Sequence, residues 1–161
     1  MGPLFIKLKG AFFFELFISL YDYTEVARIL SIDYGQKKCG VAVTDPLQII
    51  VSPLKVVKTS SLLSFLEIYL KEEEVEKIVF GYPTHKDGNP TYVVDLIKEF
   101  IDKLNKLFPD MKTAFQDENY TSAEAKEIIL NSGLTKKQRQ DKTRLDKISA
   151  VLILQRYLKH I

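Results

Sequence analysis

Apolar positions in this chain follow two spacings, and the change from one to the other lays out the fold. From Arg28 the spacing is that of strands. Residues 28–33 read as a first strand, in which Ile29, Ser31 and Asp33 share one face and Leu30 and Ile32 the other. Apolar residues on both faces predict a central strand. Tyr34 to Lys38 supply a turn, and 39–44 read as a second strand, so the pair forms a hairpin. Residues 49–51 and 54–57 predict a third strand, broken or bulged near Pro53, because proline donates nothing to a ladder. The spacing then turns helical. Leu62, Leu63, Phe65, Leu66, Tyr69 and Leu70 mark a first helix, with Ser60 or Ser61 as its N-cap. Residues 77–80 form a short apolar strand closed by Gly81, Tyr82 and Pro83. Val93, Val94, Leu96, Ile97, Phe100, Ile101, Leu104 and Leu107 mark a second helix, stopped by Pro109. Residues 113–116 are the fifth strand. Thr121 and Glu124 are spaced as a capping box for a third helix, which Gly133 ends. A basic connector leads to a last helix over about 143–159.

This order predicts an α/β domain. Its mixed five-stranded sheet is antiparallel in the first three strands, parallel in the later ones, and flanked by helices. The 161 residues suffice for one domain. Residues 28–161 carry the pattern. Residues 1–27 read as an extra N-terminal segment, from an upstream start, that packs as a short helix or stays mobile. Its apolar stretch, 11–20, is interrupted by Glu15 and is too short to span a bilayer. No membrane partner is expected.

Net charge is only +2, so composition does not announce a nucleic-acid binder. The single Cys39 excludes an internal disulfide and a multi-cysteine zinc site, and it suits a reducing cytoplasm, the expected location. Distribution says more. Lys136, Lys137, Arg139, Lys142 and Arg144 put five basic residues in nine positions just before Asp146. Such a segment suits a phosphate backbone, where each contact releases counterions. Lys37 and Lys38, in the hairpin turn, add to the same patch.

Three acidic positions stand out. Asp33 ends the first strand, at the mouth of the sheet, where open α/β sheets bind ligands beyond the C-terminal ends of their strands. Asp117 and Glu118 end the fifth strand. Alternation puts one on each face, so one of them reaches a shared site; reach favours Glu118. Asp146 lies early in the last helix on a stripe with Ala150 and Ile153. Each has a plainer reading: a turn-starting aspartate, an acid pair at a helix start, an exposed first-turn acid. Taken together they point to metal. Three carboxylates about 5 Å apart repel pairwise by roughly 3 kcal/mol at an effective dielectric near 20. A fold gathers them only around a cation. Hard oxygen ligands select Mg2+ or Mn2+, which activate water for in-line attack on a phosphodiester.

Several short motifs fall in a specific order: Ile32-Asp33-Tyr34-Gly35; 40–45, Gly-Val-Ala-Val-Thr-Asp; Gly81-Tyr82-Pro83; Asp117-Glu118 with Thr121 and Glu124; and 146–155. Together they resemble the YqgF/RuvX family of bacterial proteins across residues 28–161. The resemblance implies a ribonuclease H-like fold. It implies a metal-dependent nuclease with catalytic acids at Asp33, at the Asp117–Glu118 pair and at Asp146. Members are described as pre-16S rRNA nucleases, which process the 5′ end of that precursor, or as Holliday junction resolvases. The implied partner is therefore structured RNA or a DNA junction, and the implied state a monomer or homodimer. The family often has arginine after the acid pair; here Asn119 stands there and removes a phosphate or carboxylate partner. That difference raises a non-enzymatic alternative, an RNA-binding factor with weak or lost catalysis. The family's usual Gly-Leu-Pro is Gly-Tyr-Pro at Tyr82.

Overall fold

The structure, a computed structural model, describes residues 27–85, 87–117, 125, 127, 128, 130 and 142–161. Strands β1 (Arg28–Asp33), β2 (Lys38–Thr44) and β3 (Val51–Lys58) form an antiparallel meander. Helix α1 (Leu62–Glu72), β4 (Val75–Tyr82), α2 (Val93–Leu107), β5 (Lys112–Asp117) and α3 (Lys142–Tyr157) follow. The sheet order is β3-β2-β1-β4-β5, with β4 parallel to both β1 and β5. The expected mixed sheet with its antiparallel start is thus found, and β1 is central.

Register decides which side chains face which layer. Leu30, Ile32, Val41, Val43, Ile78 and Phe80 pack with Leu62 and Leu66 of α1 and with Ile97, Phe100 and Leu104 of α2. The opposite face carries Ile29, Ser31, Val79 and Ala114 and receives α3 through Ile153 and Leu154. Both faces of β1 are therefore dry, which is why its sequence is apolar in both phases.

Helix α3 sits on β2 and β1 because the residues beneath it are small. Gly40, Ala42 and Thr44 alternate on that face of β2, and Gly40 is the closest approach. A Cβ at Gly40 would lie 2.1 Å from the carbonyl oxygen of Asp146. This is backbone against backbone, so no rotamer change relieves it. One turn further along α3, buried Ser31 Oγ donates to Ala150 O at 2.6 Å. At the far end Lys77 Nζ donates to Tyr157 Oη at 2.9 Å. The helix therefore runs antiparallel to β1 and β4, with its N-terminal half at the end of the sheet where Asp33 lies.

Three local expectations are corrected. The third strand starts at Val51; Ile49 and Ile50 belong to a loop, where they are 65% and 63% exposed. The Asp45 carboxylate explains this. It accepts the amides of Ile49 at 2.8 Å, Ile50 at 2.6 Å and Leu47 at 3.3 Å, which takes those groups out of any ladder. The irregularity near Pro53 is a bulge: Val41 pairs with Lys55 and Ala42 with Pro53, leaving Leu54 as the extra residue. β3 is an edge strand, so proline is tolerated. Helix α1 has no side-chain N-cap; the chain enters it through a 3-10 turn at Thr59–Ser61, and Leu62 N–H donates to Thr59 O. The last helix ends at Tyr157 rather than at 159. The capping box at Thr121 and Glu124, the basic connector up to 141 and residues 1–26 lie outside the described residues. No helix among the described residues is long and apolar enough to cross a membrane.

The contact at Gly40 sets a first expectation. Gly40→Ala forces α3 off the sheet and costs about 3 kcal/mol or more, read as a lowered urea midpoint. The Asp45 loop sets a second. Backbone amides, that of Ile50 foremost, hold the Asp45 carboxyl below the usual carboxylate range. Its folded pKa is depressed, so its stabilisation is present above the unfolded value and lost as pH falls through the folded one. The stability difference between wild type and Asp45→Asn should therefore be constant near neutrality and shrink below about pH 4. Urea midpoints measured from pH 7 to pH 2 check this.

Candidate active site

The site forms where three elements end. Asp33 is the last residue of β1 and pairs directly with Gly40 of β2. Directly opposite residues of an antiparallel pair lie about 5 Å apart at Cα. Asp146 of α3 rests its own main chain on that same Gly40. Asp33 follows Ser31 by two positions and Asp146 precedes Ala150 by one turn, so the Ser31–Ala150 hydrogen bond fixes both acids on one face. The structure thus brings Asp33 and Asp146 together at one end and one face of the sheet.

Burial chiefly pushes the Cys39 thiol up from its ordinary pKa; hydrogen bonds with Thr59 and Gly35 pull it down, and the negative charges of Asp33 and Asp146 push it up. Cys39 itself points into the core against α1 and α2, as a buried free thiol.

Asp146 is the fifth residue of α3, and no acid lies in that helix's first turn. The plainer reading, a first-turn acid favoured by the helix dipole, therefore does not describe it. Its side chain is 22% exposed, and its Oδ2 is sheltered from solvent and accepts no hydrogen bond from the described residues. What faces Oδ2 is the ammonium of Lys38, 2.5 Å away, as an ion pair. Lys38 opens β2 on the face of Gly40, two residues on, so the pleat aims it at Asp146.

Of the acid pair at the end of the fifth strand, Asp117 lies among the described residues. Asp117 pairs with Tyr82, on the face of Phe80 and Phe115, towards α1 and α2. Asp33 faces α3 instead. Glu118 lies outside the described residues, and no group of three or more His, Cys, Asp or Glu side chains gathers among those described. The pair that does meet suits a divalent cation in kind. Its donors are hard carboxylate oxygens, one of them is sheltered from solvent, and a cationic ammonium already stands against it.

The candidate basic residues separate likewise. Lys37 is exposed in the turn after Asp33, while Lys38 is committed to Asp146. Arg144 is exposed one half-turn before Asp146. Lys136, Lys137 and Arg139 lie outside the described residues, as does the side chain of Lys142. Sequence reading missed Lys58. It pairs with Lys38 across the sheet and is exposed at the same end. The signal was only a basic residue closing a strand, which becomes meaningful once the hairpin register is known. It also missed the role of Gly40, whose lack of a side chain admits the main chain of Asp146. Gly81 lies buried at the end of β4, opposite Gln116.

Comparison with known proteins fits this arrangement. The family profile described as "RuvX: Holliday junction resolvase" matches residues 27–160. A Flavobacterium johnsoniae protein named "Putative pre-16S rRNA nuclease" is 47% identical over 131 residues, covering 81% of this chain and 95% of the relative. One of the same name from Amoebophilus asiaticus is 46% identical over 133 residues, covering 83% and 94%. Among solved structures, the fowlpox virus resolvase in complex with substrate Holliday junction DNA is similar in fold. Its TM-score is 0.50 at 15% identity, over 83% of this chain and 97% of that one. An α/β sheet of this order, the acids at its edge and a match along nearly the whole described domain agree: the chain belongs to the RuvX (YqgF) family, of ribonuclease H-like fold.

Proposed function

We propose that this protein is a metal-dependent nuclease that hydrolyses phosphodiester bonds in a structured RNA precursor, the 5′ end of pre-16S rRNA. The observation that carries this reading is the meeting of Asp33 and Asp146 over Gly40, where a fold gains nothing from two neighbouring carboxylates. The substrate follows from the relatives, at 42–47% identity, that bear the pre-16S rRNA nuclease name.

Asp33 and Asp146 would hold Mg2+ or Mn2+. Glu118 is the third ligand in this proposal, because Asp117 is carried to the face opposite Asp33. A divalent ion held there would supply a water of lowered pKa and a counter-charge for the leaving oxygen. The chain's own residues position the substrate. Lys37 and Lys58 stand exposed at the same end of the sheet and suit successive backbone phosphates. Lys136, Lys137, Arg139, Lys142 and Arg144 precede Asp146 in sequence and would add basic charge for the same backbone.

The family's description and the fold of the fowlpox enzyme favour a second reading, cleavage of four-way DNA junctions. That activity needs two symmetric nicks and hence a homodimer with paired sites. A third, binding without cleavage, is suggested by Asn119. One experiment separates them: purified protein with Mg2+, offered either a precursor rRNA fragment or a four-way junction. The expected result is cutting of the RNA, lowered at least about 100-fold by Asp33→Asn and by Glu118→Gln but little by Asp117→Asn. Asp33→Asn cutting at the wild-type rate would remove the nuclease assignment. Cutting of the junction alone by a dimer would move it to the resolvase, and RNA binding without cutting to a binding factor.

A further inference from the structure

Resting on that nuclease reading, we propose that Lys38 is a built-in counter-ion of the acid site. It holds Asp146 while the site carries no divalent cation, and it yields Asp146 when one binds.

Four observations support it. Lys38 Nζ lies 2.5 Å from Asp146 Oδ2. That oxygen is sheltered and accepts no hydrogen bond from the described residues, so the ammonium is its counter-charge among them. The main chain of Lys38 is held by sheet pairing with Lys58, at the start of a strand whose next residue on that face is clamped under α3. The charged end is not held in this way. Lysine ends in a point charge on a flexible four-carbon stem, and the Lys38 side chain is 35% exposed. The ammonium can therefore leave without moving the strand.

Charge decides the exchange. An ammonium offers one positive charge and no vacant coordination position. A divalent ion offers two and accepts oxygens from several carboxylates at once. Lys38 and the cation compete for one oxygen, so each weakens the other's hold by the same factor. When displaced, the ammonium is freed beside Lys37 and Lys58, at the end of the sheet assigned to the phosphate backbone. The metal-free site is kept from charge repulsion, and its cation affinity is set below what the acids alone would give.

Two measurements on the full chain, without nucleic acid, test this. Calorimetric titration with Mn2+ should show Lys38→Met binding about fivefold more tightly than wild type, with Lys38→Arg close to wild type. Labelling by an amine-reactive ester, followed by mass spectrometry, should show Lys38 modified several-fold faster with saturating Mn2+ while Lys37 is unchanged. Equal Mn2+ affinity in wild type and Lys38→Met, with no change in Lys38 labelling, overturns the counter-ion role and leaves the nuclease reading standing. Mn2+ bound by neither protein removes both.

Discussion

Everything at the candidate site depends on how closely α3 approaches β2. The contact at Gly40 is between main chains, with the Asp146 carbonyl occupying the space a Cβ would need. Close-packed interiors transmit such contacts rigidly, because there is no slack to absorb a displaced helix. Two further anchors, Ser31 to Ala150 and Lys77 to Tyr157, keep α3 aligned along β1 and β4. Asp146 is therefore delivered to Asp33 by the backbone, and among the described residues its ion-pair partner is Lys38, a flexible side chain. This division suits a metal site. The acids are set by rigid elements, and the ammonium proposed to stand in for the cation sits on a flexible stem.

The energetics point the same way. The sheet, α1 and α2 build a dry core from Leu30, Ile32, Val41, Phe80, Ile97 and Leu104. The α3 face of β1 and β2 is built differently, with Gly40, Ala42 and the buried hydroxyls of Ser31 and Thr44, and it trades apolar volume for closeness. Paired acids there add nothing to stability. A fold that spends a glycine and a buried serine to bring carboxylates together is arranged for binding charge.

Much of this was legible in the sequence because its signals were local. Strand and helix spacings gave the order of elements, and the double apolar phase of residues 29–32 marked β1 as central. Pro53 signalled the bulge. The stripe of Asp146, Ala150 and Ile153 identified the buried side of α3, where Ala150 and Ile153 are fully buried. The losses came from interactions that composition does not display. Ile49 and Ile50 look like strand residues; the Asp45 carboxylate takes their amides and exposes them. Lys37 and Lys38 read as one basic turn. Only the pleat shows that the second faces an acid and the first faces solvent. Gly40 looked like a strand glycine inside a motif, and its purpose appears only when a helix more than 100 residues later lies against it.

The account stands on one cation being shared between Asp33 and Asp146. Paramagnetic broadening by substoichiometric Mn2+ in an amide NMR spectrum reads this directly. Signals of Asp33, Tyr34, Gly40 and Asp146 should fade together at the lowest additions, while those of Leu47 and Ile49, at the other end of the sheet, persist. Broadening confined to one of the two acids, or centred on another part of the molecule, would contradict it.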